Sequence, residues 1–186
     1  NGNFMWEKII EVGEELNSDF SSNVANGCEN LLVNFMDNTL IQADSWLWDF
    51  GDGGTSSLQN PSYSYLDHGV YDVTLTTSKG AQCINSKTFF GAIEVYENPD
   101  IHFFSDTNYA CTIPFEVDFT SLTSDAMNWN WDFGNGANSN LENPSAVFVN
   151  YGIYDISLNI VNSKGCTKTE IFSNHIEIEE ININIT

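Results

Sequence analysis

Short runs of alternating apolar and polar residues recur along this chain. Residues 32–35 (LVNF) and 115–119 (FEVDF) alternate, as do 46–50 (WLWDF), 129–133 (WNWDF), 70–77 (VYDVTLTT) and 153–160 (IYDISLNI). A period of two places every second side chain on one face of a strand. The runs are short, rich in β-branched and aromatic residues, and bounded by Gly, Asn, Asp, Ser and Pro. Residues 88–95 and 170–178 supply two further strands. No segment carries a convincing helical period. Residues 7–16 come nearest, but their repeat equivalents are strand-like. The pattern predicts an all-β chain built of small antiparallel sandwiches.

The pattern also repeats. WDFGDGGTSSLQNPSYSY at 48–65 returns as WDFGNGANSNLENPSAVF at 131–148, a shift of 83 residues. Across 48–75 that shift leaves 14 of 28 positions identical. Ile10-Glu11-Val12 matches Ile93-Glu94-Val95 and then Ile176-Glu177-Ile178. An end-of-module strand therefore occurs three times around two modules. The expected division is 1–12 as the tail strand of a preceding repeat, 13–95 as module 1, 96–178 as module 2 and 179–186 as the start of a following repeat. A segment of a longer head-to-tail array fits this phase. A two-module protein with extra terminal strands is the other reading.

Length and composition agree with two small domains: 186 residues, 41% hydrophobic and 13% aromatic, suffice for packed cores. Charge narrows the function. With 26 acidic against 5 basic residues the net charge is −21, and all five basic residues are lysines. Such a chain repels phosphate backbones and anionic headgroups, so nucleic acid is not an expected partner. No apolar run approaches the roughly 18 residues of a membrane span, so no direct membrane insertion is expected.

The four cysteines obey the repeat: Cys28 matches Cys111, and Cys83 matches Cys166. Identical placement in both modules predicts one bridge inside each, Cys28–Cys83 and Cys111–Cys166, each worth about 4 kcal/mol in the chain-entropy model. Zinc is the rival reading, but two cysteines per module without CxxC or a repeated histidine make a poor zinc set. Disulfides point to an oxidising compartment.

The repeated motif has structural work for each residue. Trp48 and Phe50, like Trp131 and Phe133, belong on the core face of a strand. Gly51, Gly53, Gly134 and Gly136 permit tight reversals. Asp49, Asp52, Asp132 and Asn135 suit hydrogen bonds to nearby backbone N–H groups. Asn60-Pro61 and Asn143-Pro144 fix a second turn. Tyr71 and Tyr154 follow a glycine at a strand start, a placement resembling a tyrosine corner with a buried ring. Trp46 and Trp129 share the faces of Trp48 and Trp131 and read as packing residues before a carbohydrate platform. Catalysis by the paired carboxylates is disfavoured, because module 2 replaces the second Asp with Asn and no nucleophile–base pair repeats. No cofactor is required. Calcium has its best candidates at the module junctions, in Glu14, Glu15, Asp19, Glu97, Asp100, Glu179 and Glu180; solvated linker charge is the alternative.

The sequence WDFGDG, then Ser, NP, an aromatic, Gly and YDVTL resembles the PKD (polycystic kidney disease) domain, and the resemblance covers both modules. It implies immunoglobulin-like sandwiches of about seven strands each. The second copy departs from the family pattern at Asn135 and at 146–148. The cysteine placement and SKGC-like turn resemble PKD modules of large secreted proteins of Bacteroidetes, in surface adhesins, gliding-motility adhesins and hydrolases. The resemblance implies a non-catalytic module of a long cell-surface adhesin or filament: a spacer and interaction scaffold, extracellular or on the bacterial surface. Its partners would be neighbouring repeats, by strand pairing or end-to-end packing, and surface polysaccharide or another surface protein. An accessory substrate- or carbohydrate-binding module of a secreted hydrolase is the alternative.

Overall fold

The computed structural model describes residues 15–80 and 83–181. The expected leading strand at residues 10–12, and Glu14, lie outside them. Two compact units form, the first containing Asn30–Val95 and the residues before Gly27, the second Tyr96 onward together with Gly27–Glu29.

In the first sequence module a three-stranded sheet has the order β1 (Phe20–Ser22), β3 (Leu31–Asp37), β6 (Ser62–Tyr65). A five-stranded sheet has the order β2 (Asn26–Cys28), β8 (Cys83–Tyr96), β7 (Gly69–Lys79), β4 (Ser45–Asp49), β5 (Thr55–Ser56). The second sequence module repeats this. Its three-stranded sheet is β14 (Ser145–Phe148), β11 (Phe115–Ser121), β9 (Phe103–Ser105). Its five-stranded sheet is β10 (Tyr109–Ala110), β16 (Thr167–Ile178), β15 (Gly152–Asn162), β12 (Ala126–Asp132), β13 (Asn138–Ser139). Each module is therefore an all-β sandwich, and no helix occurs among the described residues.

Alternation explains the cores. On β3, Val33 and Phe35 point inward and are buried, while Leu32 and Met36 remain exposed. On β7, Val73, Leu75 and Thr77 turn inward, and on β15 so do Ile156, Leu158 and Ile160. Trp48 lies edge-on to Phe20 with ring centroids 5.1 Å apart; Trp131 meets Phe103 in the same way, also at 5.1 Å. The closing strands β8 and β16 run longer than the alternation predicts. Polar positions extend β8 because their hydroxyls pair across the ladder with β7: Thr74 with Thr88 at 2.8 Å, and Thr76 with Ser86 at 2.7 Å.

The disulfide pairing corrects the expectation. Cys28 bonds Cys166, while Cys83 and Cys111 are free. The reason is the length of the β7–β8 hairpin. Cys83 pairs with Lys79 at one end of β8, and Val95 pairs with Gly69 at the other. Cys28 lies beside the latter end, where the Glu29 amide donates to the Tyr96 carbonyl at 3.0 Å. At about 3.3 Å per residue the strand between is roughly 40 Å long. A bridge needs Cα atoms within about 7 Å. The same holds in the second module, where β10, just before Cys111, pairs with Glu177 and Ile178 at the far end of β16 from Cys166.

Candidate functional site

The repeated motif sits where β4 (or β12) leaves the five-stranded sheet. Its tryptophan is fully buried in both copies, yet each indole N–H is satisfied: Trp48 donates to the Leu58 carbonyl at 2.8 Å, Trp131 to the Leu141 carbonyl at 3.0 Å. The motif aspartates face the turn. Asp49 Oδ1 accepts from the Gly51 amide at 3.0 Å, and Asp132 Oδ1 from the Gly134 amide at 2.9 Å. Asp52 accepts from the Gly54 amide at 2.9 Å, and Asn135 from the Ala137 amide at 2.9 Å. These i to i+2 contacts let a side chain stand in for one backbone group of a turn.

Gly51 and Gly134 are fixed by a close backbone approach as well as by φ values of 88° and 69°. A Cβ at Gly51 would strike the Asp72 carbonyl oxygen, and one at Gly134 would come within 2.6 Å of the Asp155 carbonyl oxygen. Gly53 and Gly136 have φ of 95° and 89° but open space around them. The Asn-Pro turn is stitched to the neighbouring strand. Asn60 Oδ1 accepts from the Asp37 amide and Asn143 Oδ1 from the Ser121 amide, each at 2.9 Å. Pro61 and Pro144 carbonyls accept from Phe35 and Phe119 amides at 2.9 and 2.8 Å. Tyr71 and Tyr154 donate their hydroxyls to the carbonyls of Asp67 and Asn150, four residues back, at 2.8 Å. Their rings are half-buried instead of buried, because each lies along the face of its glycine: Gly69 has Tyr71 ring atoms 3.1 Å from its Cβ direction.

Two repeated residues outside the expected set prove structural. Asp72 Oδ1 accepts from the Gly91 amide and Asp155 Oδ1 from the Asn174 amide, both at 2.7 Å. Gly91 and Asn174 have φ of 59° and 54°, and the register of each hairpin shifts beside these aspartates. The carboxylate therefore caps a bulge, an extra-residue kink that leaves one amide without a ladder partner. The invariance of Asp72 and Asp155 between the two copies was the available signal.

The loss of the second aspartate in module 2 follows from packing. In module 1 the Tyr63 ring stacks on Phe50 with centroids 3.9 Å apart, and its hydroxyl donates to both Asp52 oxygens at 2.9 Å. The Tyr63 ring lies over Gly54 so closely that a Cβ there would overlap the hydroxyl. In module 2 the tyrosine position is Ala146 and the glycine position is Ala137. With no hydroxyl to receive, the side chain becomes Asn135, whose amide donates to the Val147 carbonyl at 3.0 Å. Three substitutions thus form one packing unit. Gly54→Ala is expected to cost about 1–3 kcal/mol through overpacking. In Tyr63→Ala the same change should cost far less, a coupling measurable by urea melts of the double-mutant cycle.

Burial and the Asp52 carboxylate push the Tyr63 hydroxyl up to about 12. Burial works against the Asp37 carboxylate, but donors from Thr39, Trp46 and Gln59 outweigh it and hold the group below its ordinary value. The Trp46 indole reaches Asp37 Oδ2 at 2.7 Å. The stabilisation from a lowered carboxylate is complete above its unfolded value and fades as pH falls through the folded one. The stability gap between the native chain and Asp37→Ala should therefore be widest at neutral pH and shrink below about pH 4, as read from urea melts at both ends.

Among the described residues the junction carboxylates form no metal-holding cluster. Asp100 faces His102 at 3.0 Å and Lys168 at 4.0 Å, and Glu179 accepts from the Tyr109 hydroxyl at 2.8 Å. Glu15, Asp19, Glu97 and Glu180 join no common centre. No group of three or more His, Cys, Asp or Glu side chains that could hold a metal ion occurs among the described residues. His175 is kept below its ordinary value by burial and shares a 3.0 Å hydrogen bond with Ser105. Trp46 and Trp129 are partly buried with their indoles engaged, Trp129 to the Ser121 hydroxyl at 3.0 Å. No tryptophan among the described residues lies flat and open to solvent.

Two tandem sandwiches, each closed by the same strand, turn and bulge chemistry, define a pair of immunoglobulin-like modules. The sequence pattern of the PKD domain matches residues 14–93 and again 96–176, and the chain belongs to that family. Among curated proteins it is similar to the pre-pro-metalloprotease PrtV of Vibrio cholerae serotype O1, strain M66-2. That match is 32% identical over 130 residues and spans 67% of this chain but 14% of the protease. Among solved structures it is similar to the PKD1 domain of V. cholerae PrtV: 29% identity, 44% of this chain, 98% of that one, TM-score 0.38. The PKD1 domain of Vibrio anguillarum Epp is similar at 27% identity over 44% of this chain and 96% of that one, TM-score 0.37.

Proposed function

We propose that this chain is a non-catalytic extracellular scaffold, a run of spacer modules within a long surface adhesin or filament. The observation that carries the reading is the use of the motif's polar atoms. In both copies Asp49, Asp52, Asp132 and Asn135 hold turn amides, and the indoles hold carbonyls. The residues that most resemble a site are engaged in folding. The net charge of −21 keeps such modules apart from one another laterally and soluble. In an array, nearest-neighbour contacts would then carry the mechanics. Pulling single molecules of the chain between two handles tests this. With the Cys28–Cys166 bridge reduced, so that force reaches both modules, two unfolding events of similar contour length are expected; a reduced chain that extends without force peaks contradicts it.

An accessory role beside a secreted hydrolase is favoured by one observation, the similarity to a metalloprotease that is mostly longer than the matched region. In that case the modules would hold polymeric substrate. Calorimetric titration against insoluble polysaccharides and denatured protein separates the two readings: saturable heat supports the accessory role, and its absence supports the spacer.

A further inference from the structure

The bridge Cys28–Cys166 spans 138 residues, which is one repeat of 83 plus the 55 that separate the two cysteines of a module. It therefore links the first cysteine of one repeat to the second cysteine of the next. Applied to the two free thiols, the same rule sends each to a repeat beyond this pair. We propose that Cys111 of one copy of this chain bonds Cys83 of a second copy, head to tail, so that one bridge per repeat runs through the assembly.

The backbone presents the free thiols as it presents the bonded ones. The Glu94 amide donates to the Ala25 carbonyl beside β2, and the Glu177 amide donates to Asn108 beside β10, both at 2.9 Å. These are repeat equivalents, so Cys111 follows its edge strand as Cys28 ends its own. At the hairpin end, Lys79 pairs with Cys83, and the Asn162 amide donates to the Cys166 carbonyl at 2.9 Å. Cys83 is exposed and Cys111 partly exposed, so both are open to reaction. The strand lengths that forbid Cys28–Cys83 and Cys111–Cys166 leave neither thiol a partner in its own module. Because the two ends of the contact are different surfaces, the link is heterologous and propagates as an open chain. In the reaction both thiols lose their protons and form one S–S bond, while a small disulfide oxidant is reduced to two thiols by exchange.

This pairing deepens the array reading and rests on it. The test is to oxidise the purified chain with oxidised glutathione at high protein concentration and map crosslinked peptides, using a mixture of isotope-labelled and unlabelled chains. A ladder on non-reducing gels, with Cys83–Cys111 peptides carrying one labelled and one unlabelled partner, is expected. Cys83→Ser and Cys111→Ser should each lose the ladder, and a mixture of the two variants should recover a single dimer. Symmetric Cys83–Cys83 or Cys111–Cys111 dimers, Cys83–Cys111 links confined to one chain, or persistent free thiols would overturn the proposal. Unchanged melting curves for both serine variants separate any such failure from misfolding. Failure here leaves the force measurement to decide the spacer role by itself.

Discussion

Trp131→Ala should destabilise the second module by about 3–5 kcal/mol, the range for removing a large aromatic from a packed core. Three effects add. The indole is completely buried, so its removal leaves a cavity. Phe103 and Phe119, with ring centroids 5.1 and 5.6 Å away, lose their packing partner. The Leu141 carbonyl also loses the donor that ties the β13–β14 connection to β12. Trp131→Phe should recover part of the volume but not the hydrogen bond, and so fall between. Urea melts followed by circular dichroism read both values. A loss below about 1 kcal/mol would mean that the tryptophan is not the centre of the core.

Gly134→Ala should cost about 2–4 kcal/mol, combining a left-handed backbone with a steric overlap. The added methyl meets the Asp155 carbonyl oxygen, a backbone atom that cannot rotate away. Asp155 is itself held by its bond to the Asn174 amide, so a shift there disturbs the bulge in β16. Gly136→Ala is the control. Its φ is also positive, but nothing lies within 4 Å of the new methyl, so only the backbone part, about 1–2 kcal/mol, should appear. Equal losses at Gly134 and Gly136 would remove the close approach as the reason for the invariant glycine. The same pair of substitutions at Gly51 and Gly53 gives an independent repeat of the experiment.

Much of this architecture was legible in the sequence, and the exceptions share a cause. Period-two alternation located β3, β4, β7, β11, β12 and β15, because each has one face in a core and one in water. It missed β1, β2, β5, β6, β9, β10, β13 and β14, which are two to four residues long and too short for a period to show, and it shortened β16 and β8, whose outer half pairs through hydroxyls. Asp72 and Asp155 lie among the identical positions of the repeat, but a bulge cap is visible only once the hairpin register is known. The disulfide pairing went astray for a related reason. Equal spacing of 55 residues says that both modules treat their cysteines alike, not that the two cysteines of a module meet. The length of β7 separates the two ends of the hairpin, but only the pairing of β2 with β8 shows that Cys28 lies at the end opposite Cys83. The replacement of Asp52 by Asn135 takes its structural meaning only from Tyr63 and Gly54 beside it.

The central proposal is that the repeated motif builds a fold and takes no ligand. Differential scanning calorimetry of the native chain and of the Asp49→Asn/Asp132→Asn variant, each with calcium and with chelator at matched ionic strength, tests it most directly. The account predicts a lower melting temperature for the variant in both conditions, and no calcium-dependent difference between the two proteins. A calcium-induced rise in the native chain that vanishes in the variant would contradict it and make the motif a binding site.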